Sequence, residues 1–160
     1  VCTGTQPLYV DWKLSRAQWP ETEFTGERLL RAKEELPNLN GPGYWPSFTG
    51  VYRYECLFQG KKEDGKCYKL LIPEASDCVR VKLNDTDLGF LAGFPARADR
   101  TAALKDGENR LELQVFTTLV WSRKDGASTH LQIPATGITE IPVVECYETG
   151  QEPDKEERNK

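Results

Sequence analysis

Apolar and polar residues alternate with a period of two along most of the chain. Residues 8–14 place leucine, valine and tryptophan on one face, with Tyr9, Asp11 and Lys13 on the other. Residues 51–58 alternate tyrosine, cysteine and phenylalanine with a second face that carries Arg53, Glu55 and Leu57. This alternation is typical of antiparallel strands that bury one face and expose the other.

Two later runs show the same pattern more strongly. Each alternates branched apolar residues with charged or amide residues, and we expect their apolar members to be buried between two sheets: Val79, Val81, Leu83, Leu111, Leu113 and Val115. Residues 129–133 and 138–147 are weaker but also rich in β-forming residues. The pattern therefore predicts eight or more strands.

Turn residues divide these runs into short elements. Residues 63–65 separate two strands at hairpin distance, and Asn84–Asp85 and Asp106–Gly107 have the chemistry of tight turns. Only residues 27–36 suggest a short helix, with an irregular strand as the alternative. The predicted fold is an all-β jelly-roll sandwich with at most one short helix.

Length and charge limit the organisation and the partners. The 160 residues suit one domain, which we place at 1–149, followed by a charged disordered tail or linker stub at 150–160. A net charge of -4 does not favour nucleic acid, and no apolar run reaches the ~20 residues that cross a bilayer. The chain starts at Val1 and contains no methionine, so we read it as a mature protein or an excised piece.

The five cysteines do not form a metal-binding pattern. They are scattered, no CxxC pair exists, and the single histidine is His130. We expect mostly buried free thiols, which favours a reducing compartment, with a Cys56–Cys67 disulfide across a hairpin as the alternative. The compartment itself stays open.

Three stretches carry a family resemblance. Residues 81–115 contain L-G, a Pro-containing loop, L-K-D-G-E-N and a strand L-E-L-Q-V, residues 41–58 contain F-T-G, and residues 137–144 read GITEIPVV. In this order they resemble the galactose-binding-like β-sandwich domains attached to family 2 and rhamnosidase-type glycoside hydrolases. The sequence departs from the pattern at Asp85, in place of a turn glycine, and at Ala96 and Ala98, in place of aromatics.

The resemblance implies an accessory domain rather than an enzyme. The catalytic barrel of such hydrolases needs about 250 residues, and His130 has no G-x-S-x-G partner. One hypothesis is a domain that binds carbohydrate, of unnamed identity, and presents it to a catalytic domain of the same parent chain. The alternative is a structural domain that docks on the catalytic domain and binds no free sugar.

The candidate sugar-binding residues are loop aromatics and nearby polar groups, because sugar rings stack on aromatic faces and their hydroxyls need hydrogen-bond partners. They are Tyr44, Trp45, Arg97, Asp99 and Trp121. Trp45 can instead cover one end of the sandwich, and Arg97 can form a local ion pair with Asp99. The resemblance also implies a structural calcium ion, for which Glu145 is the candidate ligand. Exposed aromatics favour sugar binding, whereas packed ones with an apolar patch elsewhere favour docking.

Overall fold

The computed structural model describes residues 1–18, 23–31, 35–46, 48–117 and 135–149. These residues form ten strands and no helix. The strands are β1 (Cys2–Pro7), β2 (Asp11–Gln18), β3 (Thr25–Arg31), β4 (Gly50–Gly60), β5 (Lys66–Ile72), β6 (Cys78–Leu83), β7 (Thr86–Leu91), β8 (Ala96–Asp99), β9 (Gly107–Phe116) and β10 (Val143–Glu148). The predicted all-β class is confirmed.

The strands form two antiparallel sheets. One has four strands in the order β1-β10-β5-β8, and the other has six in the order β3-β2-β4-β9-β6-β7. The six apolar residues predicted from the two later runs are all fully buried, as are Trp12, Leu14, Tyr52 and Tyr54 from the earlier ones. A single cluster of apolar side chains from both sheets forms the core, which makes the fold a β-sandwich.

Tyr54 attaches the segment before β10 to this core. Its ring makes an edge contact with Trp12 at 6.5 Å, and its hydroxyl accepts a hydrogen bond of 3.1 Å from the backbone N–H of Ile138. Gly137 has a φ of 91°, and a Cβ there would lie 2.3 Å from the Tyr54 hydroxyl. The close approach therefore requires glycine at this position.

Two predicted turns are confirmed in detail. Asn84 and Asp85 join β6 to β7 with φ values of 50° and 66°, so Asp85 adopts the left-handed conformation in which glycine is common. In the turn before β9, Asn109 accepts from the Lys105 N–H and donates to the Lys105 and Gly107 carbonyls. These bonds satisfy the backbone where Gly107 turns the chain.

Residues 63–65 connect two strands as predicted, but the two strands do not form a hairpin. They do not pair, because β4 belongs to the six-stranded sheet and β5 to the four-stranded sheet. The chain therefore crosses from one layer to the other here, and the alternative Cys56–Cys67 disulfide is also wrong. All five cysteines are free thiols.

In the described part of the 27–36 region, the alternative of a strand is confirmed. Strand β3 includes residues up to Arg31, and Glu35 forms an isolated bridge with Glu140. Residues 129–133, Trp121 and the predicted 150–160 tail lie outside the described residues, so those predictions stay predictions. In the part of the chain that the structure describes, no helix has the length and apolarity of a membrane span.

Candidate functional site: a packed aromatic loop and an open apolar patch

Two of the loop aromatics predicted to hold sugar, Tyr44 and Trp45, are packed against the six-stranded sheet. The ring of Trp45 stacks on that of Tyr52 in β4, with centroids 5.9 Å apart and planes inclined by 22°. Tyr44 contacts Trp45 edge-on at 6.5 Å, and Phe48 lies 5.0 Å from Tyr52. These four rings, Tyr44, Trp45, Phe48 and Tyr52, form what we call the aromatic cluster.

Two arginines from neighbouring strands complete the packing of Trp45. The guanidinium carbons of Arg16 in β2 and Arg28 in β3 lie 4.6 Å and 4.9 Å from its ring centroid. Arg28 also donates a hydrogen bond to the Gly43 carbonyl, which holds the loop to β3. With Tyr52 and two guanidinium groups against it, Trp45 has little aromatic face left for a sugar ring.

Arg97, Asp99 and Glu145 lie on the four-stranded sheet. Arg97 in β8 donates from Nε and Nη2 to Glu145 in β10, at 2.8 Å and 3.2 Å, and the Tyr147 hydroxyl donates to the same carboxylate at 2.8 Å. Burial acts to raise the pKa of Glu145, but the bonds from Arg97 and Tyr147 outweigh it, and the pKa lies below its usual value. Arg97 thus pairs with Glu145, not with Asp99.

Asp99 has a local structural role. Its Oδ1 accepts a hydrogen bond of 2.9 Å from the backbone N–H of Thr101. The described contacts join Tyr44 to Trp45, and Arg97 to Glu145, but no contact among them links the two pairs. It is therefore still a prediction that one site binds sugar through Tyr44, Trp45, Arg97, Asp99 and Trp121.

Glu145, the expected calcium ligand, is already paired with a positively charged side chain. The Arg97 guanidinium occupies both oxygens of that carboxylate, and Tyr147 shares one of them. Among the described residues, no group of three His, Cys, Asp or Glu side chains is placed to hold a metal ion. We therefore do not include a metal in the proposed function.

An open apolar patch was not singled out from the sequence. Tyr9, Leu29 and Leu57 are 57%, 59% and 53% exposed, and they are three of the five exposed large hydrophobic residues in the described ranges. Together with Val10 they line a shallow depression of about 800 Å³. We call these four residues, Tyr9, Val10, Leu29 and Leu57, the outer apolar patch.

Charged side chains lie among the residues of the outer apolar patch, because Lys13 of β2 stands between Leu29 of β3 and Glu55 of β4 in the sheet. Lys13 forms an ion pair of 2.7 Å with Glu27, and Arg110 forms one of 2.6 Å with Glu55. The patch is therefore a mixed surface, on which Tyr9, Leu29 and Leu57 supply the exposed apolar area. A signal was present in the sequence, because Leu57 shares the polar face of its run and Tyr9 shares that of Asp11.

The fold is shared with parts of much larger proteins. The chain is similar to a rhamnosidase from Novosphingobium sp. PP1Y, with a TM-score of 0.69 and 21% identity over 91% of this chain and 16% of that one. It is similar to a β-glucuronidase from Faecalibacterium prausnitzii, with a TM-score of 0.66 and 16% identity over 91% and 31% of the two chains. For a β-glucuronidase from an uncultured Clostridium sp., the TM-score is 0.65 and the identity 16%, over 92% and 29%.

These similarities are confined to the fold. The chain spans between 16% and 31% of the length of these three proteins, and the identities are low. The sequence matches no protein-family model and no curated protein. The structures confirm that this sandwich occurs within glycoside hydrolase-type proteins, as the sequence resemblance implied.

Proposed function

We propose that the chain is a non-catalytic accessory domain of a larger glycoside hydrolase-type protein and that it docks on a neighbouring domain through the outer apolar patch. The observation that carries this proposal is the grouping of Tyr9, Leu29 and Leu57, each more than half exposed, in one depression. The fold similarity supports this setting, because the matched region is only 16% of one of these proteins and 31% of another.

Burial of the patch is energetically favourable. Covering the exposed half of a leucine side chain contributes about 1 kcal/mol, so Leu29 and Leu57 together contribute about 2 kcal/mol. Lys13 and Arg110 lie next to these leucines and are paired with Glu27 and Glu55, so each of these cations keeps a carboxylate partner when the leucines are covered. In an isolated domain these leucines stay exposed and contribute no such stabilisation, whereas in a docked domain they are covered and do contribute it.

Carbohydrate binding is the alternative function. It is favoured by the partial exposure of Tyr44 and by the exposure of Asp99. An aromatic ring can stack on a sugar ring, and a carboxylate can accept hydrogen bonds from sugar hydroxyls. The packing of Trp45 by Tyr52, Arg16 and Arg28 counts against it. We therefore rank docking first, although both functions require the same kind of parent protein.

Hydroxyl-radical footprinting tests the docking proposal. We expect Tyr9, Leu29 and Leu57 to be oxidised several-fold more slowly in the full-length parent polypeptide than in the 160-residue chain. Phe90 is the internal control, because it is 60% exposed and lies in β7, at the opposite edge of the six-stranded sheet from β3. Equal oxidation of the patch in both forms, or a parent gene that encodes no further domain, contradicts the proposal.

Two assays on the chain alone test whether it is non-catalytic and whether it binds sugar. Aryl glycosides should not be turned over, and activity that survives repeated purification contradicts the non-catalytic assignment. Calorimetric titration with galactose-, rhamnose-, mannose- and glucose-containing glycans should give no heat of binding. Binding that is lost in Trp45→Ala, with the fold intact, would establish the alternative function in place of docking.

A further inference from the structure

The outer apolar patch reaches the free edge of the six-stranded sheet. Leu29 lies in β3, which is the terminal strand of that sheet and pairs with β2 on one side only. All residues of β3 except Leu30 are exposed. A terminal strand presents a row of unpaired backbone N–H and C=O groups along its outer edge. The patch therefore ends at a row of backbone groups that can pair with a further strand.

The last part of β3 has the regular backbone that such pairing needs. The register with β2 is irregular near Gly26, whose φ is 68°, whereas residues 28–31 lie opposite residues 11–14 one by one. In an antiparallel pair, alternate residues direct both backbone groups to the neighbouring strand, and the residues between them direct both outwards. Two of the four residues in Arg28–Arg31 therefore have an N–H and a C=O at the free edge.

No described segment pairs with this edge. Outside the sheet ladders, no backbone hydrogen bond among the described residues involves β3. Arg28 donates to the Gly43 carbonyl through its side chain, so that bond leaves the backbone of β3 unpaired. A groove of about 330 Å³ lies beside the end of the strand, lined by its last three residues and by Glu35, Leu36, Pro37 and Tyr44. The end of β3 thus has open space next to it.

Leu29 connects this groove to the outer apolar patch. It lines both depressions, and its side chain is 59% exposed. A partner that lies only on the outer face of the sheet covers one side of Leu29 and leaves the groove open. A strand added beside β3 covers Leu29 from the groove as well, so it buries more of the exposed leucine.

The other terminal strands are less suited to a further strand. Strands β7 and β8, which end the two sheets, contact each other. Strand β1 is irregular between Cys2 and Gly4, ends at Pro7, which has no N–H, and contains no exposed large hydrophobic residue. Strand β3 is therefore the terminal strand that combines an open edge with an exposed leucine.

We propose that the neighbouring domain of the parent polypeptide adds a strand to β3, with an apolar side chain next to Leu29. This inference rests on the proposed function, because it specifies how the partner at the outer apolar patch is held. When a strand is added to a sheet edge, backbone hydrogen bonds provide affinity and pockets for alternate side chains provide specificity. The backbone groups of β3 select an extended segment, and the exposed leucine selects an apolar one.

Hydrogen–deuterium exchange at single-residue resolution tests the added strand. In the 160-residue chain, two alternate amides of Arg28–Arg31 should exchange rapidly, because their N–H groups point to the free edge. In the full-length parent polypeptide, the same two amides should exchange about 100-fold more slowly, because each donates to the added strand. The amides of β7, at the opposite edge of the sheet, are the internal control and should exchange alike in both forms.

Leu29→Lys tests whether the added strand lies beside this residue. In the parent polypeptide, it should speed exchange of the two protected amides about tenfold or more, because it places a charge under the added strand. In the 160-residue chain, it should leave their exchange unchanged, because the side chain is already largely solvated. Phe90→Lys is the matched control, since Phe90 is 60% exposed at the opposite edge, and it should not affect these amides.

The footprinting of Tyr9 and Leu57 separates this inference from docking itself. Slow exchange of the two amides in the parent, relieved by Leu29→Lys, supports the added strand. Equal exchange in both forms overturns it; docking on the face of the sheet stands if Tyr9 and Leu57 are protected from oxidation, and fails too if they are not. Slow exchange that Leu29→Lys does not relieve also overturns the inference, since the partner then does not lie beside Leu29.

Discussion

The aromatic cluster and the outer apolar patch lie on the same sheet but differ in what covers them. In the cluster, Trp45 is stacked on Tyr52 and flanked by two guanidinium groups. In the patch, Leu29 and Leu57 are more than half exposed, and the same depression is lined by Tyr9, Val10 and charged side chains such as Lys13 and Arg110. The more exposed apolar side chains are thus those of Tyr9, Leu29 and Leu57, not those of the tryptophan loop.

The difference follows from the position of each residue in the sheet. Trp45 is on a loop that folds back over β2, β3 and β4, so the protein supplies its partners. Leu57 is on the outward face of β4, directly opposite Arg110 in β9, and no loop among the described residues covers it. An aromatic residue in a loop is therefore a poor predictor of an open binding face.

The largest expected effect comes from removing the ring at the centre of the cluster. Trp45→Ala should lower the free energy of unfolding by about 3 kcal/mol, because stacking on Tyr52 and two cation–π contacts are lost. Urea denaturation followed by circular dichroism measures this. Leu57→Ala is the matched control and should change stability by less than about 0.5 kcal/mol. Equal effects of the two variants contradict the contrast between covered and open surfaces.

The next effect concerns Arg97, the other half of the predicted sugar site. Glu145→Gln should destabilise the fold by about 1–2 kcal/mol at pH 7, because it weakens the bonds with Arg97 and Tyr147. The pKa of Glu145 is lowered in the folded state, so its contribution is present above the unfolded value of about 4.3 and is lost as pH falls through the folded value. The difference between wild type and variant should therefore shrink as the pH falls below about 4.3 and vanish once Glu145 is protonated in the folded state as well. A difference that persists there is not due to this carboxylate.

A smaller effect is expected from one of the arginines over Trp45. Arg28→Ala should reduce the free energy of unfolding by about 0.5–1 kcal/mol, since a partly exposed cation–π contact and the bond to the Gly43 carbonyl are lost. Arg31→Ala, also in β3, serves as the control because Arg31 is exposed. Tryptophan fluorescence followed during denaturation measures both variants. If they behave alike, Arg28 does not hold the loop.

Much of the fold could be predicted because its signals are local. The alternation in residues 78–84 and 111–115 identifies β6, β9 and their buried residues directly. The Asn84–Asp85 and Gly107 turns depend on backbone preferences of a few neighbouring residues. The crossing from β4 to β5 could not be predicted, because hairpin spacing does not reveal which sheet the next strand joins.

The candidate site was harder to predict because its contacts are distant in sequence. Glu145 is 48 residues from Arg97, and nothing local to either residue reveals the pair. The packing of Trp45 depends on how a loop lies over two other strands. The apolar patch did leave a signal, because Tyr9 and Leu57 are apolar residues on the polar face of their runs. That Leu29 and Leu57 line one depression depends on the order of the strands in the sheet, which the signal does not reveal.

Docking through the outer apolar patch is tested most directly by comparing one variant in two contexts. Leu29→Gln/Leu57→Gln should change the stability of the 160-residue chain by no more than about 0.5 kcal/mol, because both side chains are already exposed. In the full-length parent polypeptide, the same variant should destabilise this domain by about 2 kcal/mol, because two buried leucines are replaced. Phe90→Gln, at the far edge of the sheet, should behave alike in both contexts. Equal effects of the double variant in the two contexts would contradict the account.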